Sequence, residues 1–252
     1  MLTLTHITKA YRDKTVLQDV SVTFRPGRLV SIIGPNGAGK STLLSVITQL
    51  SPQTQGQVML DDMSITNFDR QELAKRISFL RQSNTVNVRL TVRELIAFGR
   101  FPYSHGRLTK EDEVKIEEAM AYLQLEAMAD RFIDQLSGGE RQRAFIAMTL
   151  AQDTDYVLLD EPLNNLDMKH SVQIMKALRQ MVDQFGKTVI IVIHDINFAS
   201  FYSDEIIAVK AGQLVKQGDI ESIINEDMLR RIYDMDIRVS HINDKRLCEY
   251  FQ

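Results

Sequence analysis

The nine residues GPNGAGKST, at positions 34–42, constrain the fold of this 252-residue chain more than any other feature. They satisfy the pattern G-x-x-x-x-G-K-[ST], and they lie between the short apolar run RLVSIIG and the helical pattern STLLSVITQL. A buried strand that turns through glycines into a helix directs backbone amides and the positive end of the helix dipole at one point. The sequence therefore predicts a triphosphate site in an α/β domain with a parallel sheet.

The chemistry of this loop assigns roles to three of its side chains. We expect Lys40 to reach the β and γ phosphates, Ser41 to bind Mg²⁺ and Thr42 to contact the α phosphate. A glycine-rich turn with an incidental lysine is the structural alternative. The predicted nucleotide-binding residues of the loop are Gly34, Pro35, Asn36, Gly37, Ala38, Gly39, Lys40, Ser41 and Thr42.

A matching acidic pair follows a second apolar run, VLLDEP, which is typical of a central strand. At the tip of such a strand, Asp160 is expected to hold the magnesium shell, and Glu161 to polarise a water molecule against the γ phosphate. Two carboxylates after a strand could also cap a helix, but a cap does not explain their pairing with a phosphate loop.

A second glycine-rich helix start lies in LSGGERQRA, at positions 136–144. Ser137 and Glu140 form a capping box, but Gly138 and Gly139 are more than a cap needs, because glycine costs helix stability and leaves bare backbone. The two glycines predict a second site for the same phosphates. The nucleotide could be reached by folding one chain back, or by pairing two chains head to tail.

The rest of the chain alternates strand and helix patterns, with one exception. Residues 88–134 contain helical patterns only, including a capping box of Thr91 and Glu94, and their charges are expected to form a solvated face. Later, HSVQIMKALRQMVDQFG indicates an amphipathic helix ending at Gly186, and EIIAVKAGQLVKQGD indicates a hairpin that turns at Ala211 and Gly212. The pattern of the residues from Met228 onward indicates a helix, and it does not decide whether a further strand follows.

Composition narrows the class of partner. A net charge of −3 and a pI near 6.0 argue against a nucleic acid. The single cysteine, Cys248, cannot form an internal disulfide, which fits a reducing compartment. We find no secretory signal and no run of the roughly 18 to 20 apolar residues that a membrane-crossing helix needs, so any membrane association is expected to be peripheral.

Taken in order along nearly the whole chain, these motifs resemble the ATP-binding subunit of an ABC transporter. GPNGAGKST resembles the Walker A loop, SFLRQ the Q-loop, LSGGE the family signature, VLLDE the Walker B strand, LNNLD the D-loop and VIHD the switch-histidine segment. The resemblance implies one P-loop ATPase domain over residues 1–252. Such a domain has an N-terminal antiparallel β subdomain, a mixed central sheet and an inserted all-helical subdomain at about 88–150.

The resemblance also implies roles for residues whose own pattern is not informative. It assigns Tyr11 to adenine stacking, Gln82 to catalysis and to Mg²⁺, His194 to catalysis with Glu161, and Asp167 to the nucleotide. Taken alone, each could be structural. In the family, the signature residues bind the γ phosphate of the partner subunit's ATP, which here implies Ser137, Gly138 and Gly139.

The expected function is ATP hydrolysis that powers a membrane importer, with ATP and Mg²⁺ as cofactors. The implied partners are a second copy of the chain, bound head to tail with ATP, and transmembrane permease subunits, with an extracytoplasmic binding protein acting indirectly. Such a subunit lies on the cytoplasmic face of the membrane. The stretch LTVRELIAFGRFPY, at positions 90–103, resembles the same segment of cassettes for iron(III)-siderophore, haem and vitamin B12 uptake. DEPLNNLDMKHS resembles iron-siderophore cassettes, so a siderophore is the first expectation.

Several alternatives remain at this point. The cargo could be haem, vitamin B12 or a metal ion, and an exporter is a further possibility. A soluble cassette ATPase of DNA repair or translation would carry a long coiled coil or a second cassette, and a regulatory module would lack a catalytic base. The sequence departs from the family at Glu140, which replaces a glutamine, and at LNN in the D-loop.

Overall fold

The computed structural model of the protein describes residues 1–82 and 88–250. Its strands are β1 (Leu2–Tyr11), β2 (Lys14–Phe24), β3 (Leu29–Ile33), β4 (Gln55–Leu60), β5 (Met63–Ser64), β6 (Ile77–Leu80), β7 (Tyr156–Asp160), β8 (Thr188–Val192), β9 (Glu205–Lys210), β10 (Gln213–Gly218), β11 (Arg238–Ile242) and β12 (Lys245–Glu249). Its α-helices are α1 (Lys40–Ile47), α2 (Arg70–Arg76), α3 (Val92–Ala97), α4 (Phe101–Ser104), α5 (Lys110–Tyr122), α6 (Gly138–Ala151), α7 (Met168–Phe185), α8 (Ile196–Tyr202), α9 (Ile220–Ile223) and α10 (Glu226–Tyr233).

A six-stranded sheet in the order β10-β9-β3-β8-β7-β6 lies at the centre of the molecule. Neighbouring strands from β9 to β6 are parallel, and β10 is antiparallel to β9, so the sheet is mixed, as predicted. Every residue of β3, β7 and β8 is buried, because helices or the second sheet cover both faces. This is why these strands read as continuous apolar runs rather than as alternating ones.

The carboxyl ends of three adjacent strands bring the phosphate loop, the acidic pair and the switch histidine to one edge of the sheet. β8 lies between β3 and β7. Asp160, the last residue of β7, is in register with Val192, the last residue of β8. The next residue, Glu161, donates its backbone N–H to the Val192 carbonyl at 3.1 Å. Segments that are far apart in sequence therefore meet at the edge where open α/β sheets bind ligands.

A second sheet covers one face of the central sheet. Its four strands have the order β2-β1-β4-β5 and are all antiparallel, as the sequence predicts. Buried residues such as Leu2, Phe24 and Leu43 join this sheet, α1 and the central sheet in one hydrophobic cluster. The helix that follows the phosphate loop is thus held between the two sheets.

Helices only are found among the described residues from Val88 to Ala151, apart from one isolated β-bridge. α3, α5 and α6 pack against one another and against the opposite face of the central sheet. The bounds of a helical subdomain at 88–150 stay a prediction. Within this helical region, α5 ends at Tyr122, and Gln124 two residues later has a left-handed φ of 56°.

The prediction that the charges of this region form a solvated face is wrong for one pair. Arg100 and Asp112 have side chains only 4% and 3% exposed. Arg100 Nε donates to Asp112 Oδ1 at 2.8 Å, and its Nη1 donates to the Ala151 carbonyl at 2.9 Å. Thr109, the N-cap of α5, donates its backbone N–H and its hydroxyl to the other carboxylate oxygen. The pair therefore joins α5 to the end of α6 inside the helical region.

The C-terminal part confirms the hairpin between β9 and β10, whose turn residues Ala211 and Gly212 have left-handed φ angles of 48° and 78°. The last residues form α10 and a second hairpin, β11–β12, where the sequence indicated a helix and left a strand open. In the part of the chain that the structure describes, we find no helix with the length and apolar character needed to cross a bilayer.

Candidate functional site

The phosphate loop has a backbone that only glycine accommodates at its start. Gly34 follows β3 with φ of 144°, and a Cβ at this position would lie 1.9 Å from the Val209 carbonyl oxygen of β9. Gly37 and Gly39 also have left-handed φ angles, of 75° and 101°. The loop therefore packs against the sheet at one end and enters α1 at the other without a side chain in the way.

A cavity of about 160 Å³ lies inside this loop, lined by residues 36–42, Val16 and Glu161. Lys40 is 4% exposed and donates from Nζ to the Gly34 carbonyl at 2.8 Å and the Pro35 carbonyl at 2.9 Å. Burial lowers the pKa of Lys40, and the nearby carboxylates of Glu161 and Asp160 oppose that effect. The loop amides, the N-terminus of α1 and the Lys40 amine together form a site for an anion.

The predicted magnesium residues of the loop and of β7 are in direct contact. Ser41 Oγ donates to Asp160 Oδ1 at 2.9 Å. Burial raises the pKa of Asp160, and the hydrogen bond from Ser41 opposes that rise. A hydroxyl and a carboxylate beside a phosphate site form the oxygen donor set that suits Mg²⁺, which takes few protein ligands and completes its shell with phosphates and water.

Glu161 is surrounded by three side chains that hold its carboxylate. His194 Nε2 lies 2.7 Å from Oε1, Gln82 Nε2 donates to Oε2 at 2.6 Å, and Asn164 Nδ2 donates to the same oxygen. The structure thus brings together Glu161, His194 and Gln82, which the sequence predicted to be catalytic. Asn164 is an addition that the sequence analysis noted only as a departure in the D-loop.

The backbone of Glu161 contributes to this arrangement. Its φ of 51° is in the left-handed region, which costs a non-glycine residue roughly 1 kcal/mol or more. The side chain of Glu161 is only 9% exposed, whereas that of His194 is 39% exposed. The surrounding hydrogen bonds keep the carboxylate in a sheltered position at the mouth of the phosphate cavity, where it could orient a water molecule.

The second glycine-rich segment begins α6 as predicted. Ser137 accepts a hydrogen bond from the Glu140 backbone, and Glu140 accepts in return, which completes the capping box. Hydrogen bonds from the Ser137 backbone N–H and then its hydroxyl lower the pKa of Glu140. Ser137 and Gly138 are exposed, and the nearest atom to a Cβ on Gly138 would be the Asn165 carbonyl oxygen at 3.9 Å.

Gly139 differs from its neighbour because a side chain of the same protomer already lies against it. A Cβ on Gly139 would lie 2.6 Å from the imidazole of His170 on α7. That imidazole is held by Asp167, whose Oδ1 lies 2.8 Å from His170 Nδ1. The sequence predicts that both glycines face an approaching phosphate, whereas in this chain His170 lies where a side chain of Gly139 would be. The open position is Gly138.

Two further predicted residues lie at the surface. Tyr11, at the end of β1, is 46% exposed, and its hydroxyl lies 2.8 Å from Ser51 Oγ. Asp167 caps α7 by accepting from the backbone of His170, and this hydrogen bond is the main cause that lowers its pKa. Lys9 Nζ lies 4.7 Å from the centre of the Tyr11 ring, a contact that the sequence did not indicate. The residue roles assigned to Tyr11 and Asp167 stay predictions.

Comparisons with known proteins show which family has this sequence and fold. The sequence pattern of the ABC transporter family matches residues 17–164 of the chain. The chain is 54% identical over 251 residues to the petrobactin import ATP-binding protein YclP of Bacillus subtilis (strain 168), covering 100% of both chains. It is 46% identical to the petrobactin import ATP-binding protein FatE of Bacillus anthracis, covering 95% of this chain and 96% of that protein.

A solved structure of an ATP-binding cassette has the same fold as this chain. The dimeric post-hydrolysis state of an ATP-binding cassette bound to ADP and Pi superimposes with a TM-score of 0.77 and 34% sequence identity. The match covers 87% of this chain and 99% of the other.

Proposed function

The chain belongs to the ABC transporter family as an ATP-binding subunit with ATPase activity, and from this premise we propose that it powers the import of an iron(III)-siderophore of the petrobactin type. The observation that carries the proposal is the identity of 54% to a petrobactin import protein over the full length of both chains. The second relative, at 46% identity, is named for the same cargo.

The phosphate loop supplies the nucleotide site in this proposal. Lys40 leaves the carbonyls of Gly34 and Pro35 to bind the β and γ phosphates, Thr42 contacts the α phosphate, and the loop amides bind the oxygens between them. Ser41, Asp160 and Gln82 would hold Mg²⁺, and Tyr11 would stack on adenine. When bound, Mg²⁺ neutralises charge on the phosphates.

Hydrolysis then depends on how Glu161 is held. Its carboxylate accepts a proton from, or orients, the water that attacks the γ phosphate, while His194, Gln82 and Asn164 fix its direction. Three neighbours on one carboxylate leave little rotational freedom, so the water is positioned before the reaction starts. Positioning and charge neutralisation supply most of the rate in phosphoryl transfer.

The exposed signature segment supports assembly of two chains. Ser137 and Gly138 are uncovered in the single chain, and the matched cassette structure is a dimer. We place the γ phosphate of one copy against this helix start of the other, in a head-to-tail pair, with Asp167 and the backbone of Gly139 beside it. ATP then closes the pair, and loss of the γ phosphate opens it.

The permease is expected to contact the helical region. Phe98 and Phe101 are 54% and 55% exposed within the segment that resembles siderophore cassettes. Large apolar side chains exposed together are typical of an interaction surface. In this arrangement the chain lies at the cytoplasmic face of the membrane, and the permease and an extracytoplasmic binding protein contact the cargo.

The test is uptake of radiolabelled ferric petrobactin by cells that lack this chain and carry it on a plasmid. We expect uptake with the wild-type chain and none with Glu161→Gln, which keeps the size of the side chain but loses the carboxylate. Ferric enterobactin and a ferric hydroxamate are the matched cargo controls. Equal uptake of ferric petrobactin with and without the chain would refute the proposed cargo.

The same variant tests the hydrolytic site in vitro. Glu161→Gln can still accept from Gln82 and Asn164 through its amide oxygen while its amide nitrogen faces His194, so the chain should fold and bind ATP. We expect ATP turnover to fall by about 10² to 10⁴-fold and an ATP-bound dimer to accumulate. A variant that stays monomeric with ATP and Mg²⁺ by light scattering would contradict the shared site.

A further inference from the structure

The helix that directly follows His194 is fastened to the C-terminal hairpin of the chain. The side-chain amide of Asn197 on α8 uses both of its ends on one residue of β12: its Oδ1 accepts from the Cys248 backbone N–H at 2.7 Å, and its Nδ2 donates to the Cys248 carbonyl at 3.2 Å. One turn later, Ser200 Oγ donates to the Arg246 carbonyl at 2.7 Å. Two side chains of α8 thus form hydrogen bonds with the backbone of β12 at alternate residues, Arg246 and Cys248.

The position of the hairpin depends on contacts with other elements, and the contact with α8 is one of them. Within residues 1–82 and 88–250, β11 and β12 pair with each other and with no other strand. A two-stranded sheet is marginally stable alone. Cys248 is 2% exposed in the larger hydrophobic cluster, and burial raises the pKa of its thiol to about 11, so it acts as an apolar anchor. The hairpin also contacts the segment of α9 and α10, where Arg246 Nη1 donates to the Ile224 carbonyl at 3.0 Å and the Val239 N–H donates to Glu226 Oε1 at 3.3 Å, so α8 is one of two supports that hold it in place.

The contact lies close to the carboxylate–imidazole pair. Asp195, the next residue after His194, caps α8 by accepting from the backbone N–H of Asn197 at 2.8 Å. A cavity of about 610 Å³ is lined by Glu161, His194 and Asn197 and, from the hairpin, by Leu247. One cavity therefore has walls from the first turn of α8, from the hairpin and from the pair of Glu161 and His194.

We propose that the C-terminal hairpin β11–β12 positions His194 for hydrolysis, and that Asn197 is the positioning residue through which it acts. The amide of Asn197 fixes the first turn of α8 and so the direction from which the imidazole meets Glu161. Without this link, fewer chains hold the contact of 2.7 Å between His194 and Glu161, and turnover falls. The phosphate loop belongs to other elements of the fold, so the affinity for ATP is expected to stay at the wild-type value.

The inference rests on the proposed roles of Glu161 and His194, and its test is a split between kcat and KM in the intact chain. Asn197→Leu has a similar volume and makes neither hydrogen bond. We expect kcat for ATP to fall by about tenfold or more, with KM and ATP affinity within about twofold of the wild type. Ser200→Ala is the matched control, because it also loses a hydrogen bond to β12 but lies one turn farther from His194. It should lose less than about twofold in kcat.

A second variant removes the hydrogen bond between Asn197 and Cys248 by a change in the hairpin. Cys248→Pro removes the N–H that donates to Asn197, and Cys248→Ala, which keeps it, is its control. If the link acts as proposed, Cys248→Pro lowers kcat as Asn197→Leu does, and the double variant is no slower than either single one. Each variant is compared well below its own melting temperature, so that loss of folded protein does not count as loss of turnover.

Two results would overturn the inference: a folded Asn197→Leu variant with the kcat of Ser200→Ala, or equal losses in kcat and ATP affinity, which indicate general loosening. Failure of Cys248→Pro to fold leaves the decision to Asn197→Leu. Hydrolysis at the proposed site is judged separately, by activity in the wild type and its absence in Glu161→Gln.

Discussion

Arg100→Met should destabilise the protein far more than the loss of an ordinary surface charge. Arg100 and Asp112 have side chains 4% and 3% exposed, and methionine leaves the Asp112 carboxylate buried with Thr109 as its remaining partner. Removing one member of a buried ion pair costs about 3 to 5 kcal/mol. For a domain of this size each kcal/mol lowers the melting temperature by about 2 to 4 °C, so we expect a fall of roughly 10 °C.

Arg93→Met is the matched control. Arg93 also pairs with two carboxylates, those of Glu113 and Glu117, but all three side chains are more than a third exposed. Exposed pairs contribute about 0 to 1 kcal/mol, because water screens them. Both variants and the wild type are compared by urea titration and thermal melting at pH 7. Equal losses for Arg100→Met and Arg93→Met would refute the reasoning, and so would a loss below about 1 kcal/mol for Arg100→Met.

The pH dependence adds a second check on the same pair. Burial tends to raise the pKa of Asp112, but hydrogen bonds from Thr109 and Arg100 outweigh it and hold the pKa below the ordinary 3.8. The carboxylate therefore stabilises the fold above about pH 3.8, and this contribution is lost as the pH falls through the lower folded value. Loss of Arg100 raises the folded pKa, so the stability gap between the wild type and Arg100→Met should narrow as the pH is lowered.

Two other variants test the nucleotide site. Lys40→Met should weaken ATP binding by at least about tenfold in a fluorescence titration, because it removes the charge of a buried amine that lies inside the loop. Unchanged affinity would contradict the assignment of Lys40 to the phosphates. Ser137→Arg should block hydrolysis while ATP affinity of the separate chain stays within about twofold, because Ser137 acts on the other copy's nucleotide. Strongly weakened binding in calorimetry would place Ser137 in the site of its own chain.

The sequence predicts the central part of the fold because its signals there are local. A strand that runs through glycines into a helix, or a carboxylate pair after an apolar run, has its spacing fixed within about ten residues. The phosphate loop and the acidic pair both follow parallel strands of one sheet, so their patterns also predict that Lys40 and Asp160 lie at the same edge, whereas the role of His194 is implied only by the family resemblance.

The sequence does not predict contacts that depend on packing between distant segments. Asp112 belongs to a charged run, and only the fold shows that Arg100 reaches it inside the helical region. Asn164 and Asn197 are polar residues in or beside loops, with no spacing that indicates their partners. The bounds of the helical subdomain stay a prediction.

Because Gly139 and His170 are in contact, the residue types tolerated at position 139 depend on the residue at position 170. As long as an imidazole lies 2.6 Å from where a Cβ of residue 139 would be, alanine at this position requires the His170 side chain, α7 or the start of α6 to move. A smaller residue at 170 removes that obstacle. Among homologues, we therefore expect side chains larger than hydrogen at position 139 only where position 170 has become small, so the two positions should covary as a pair.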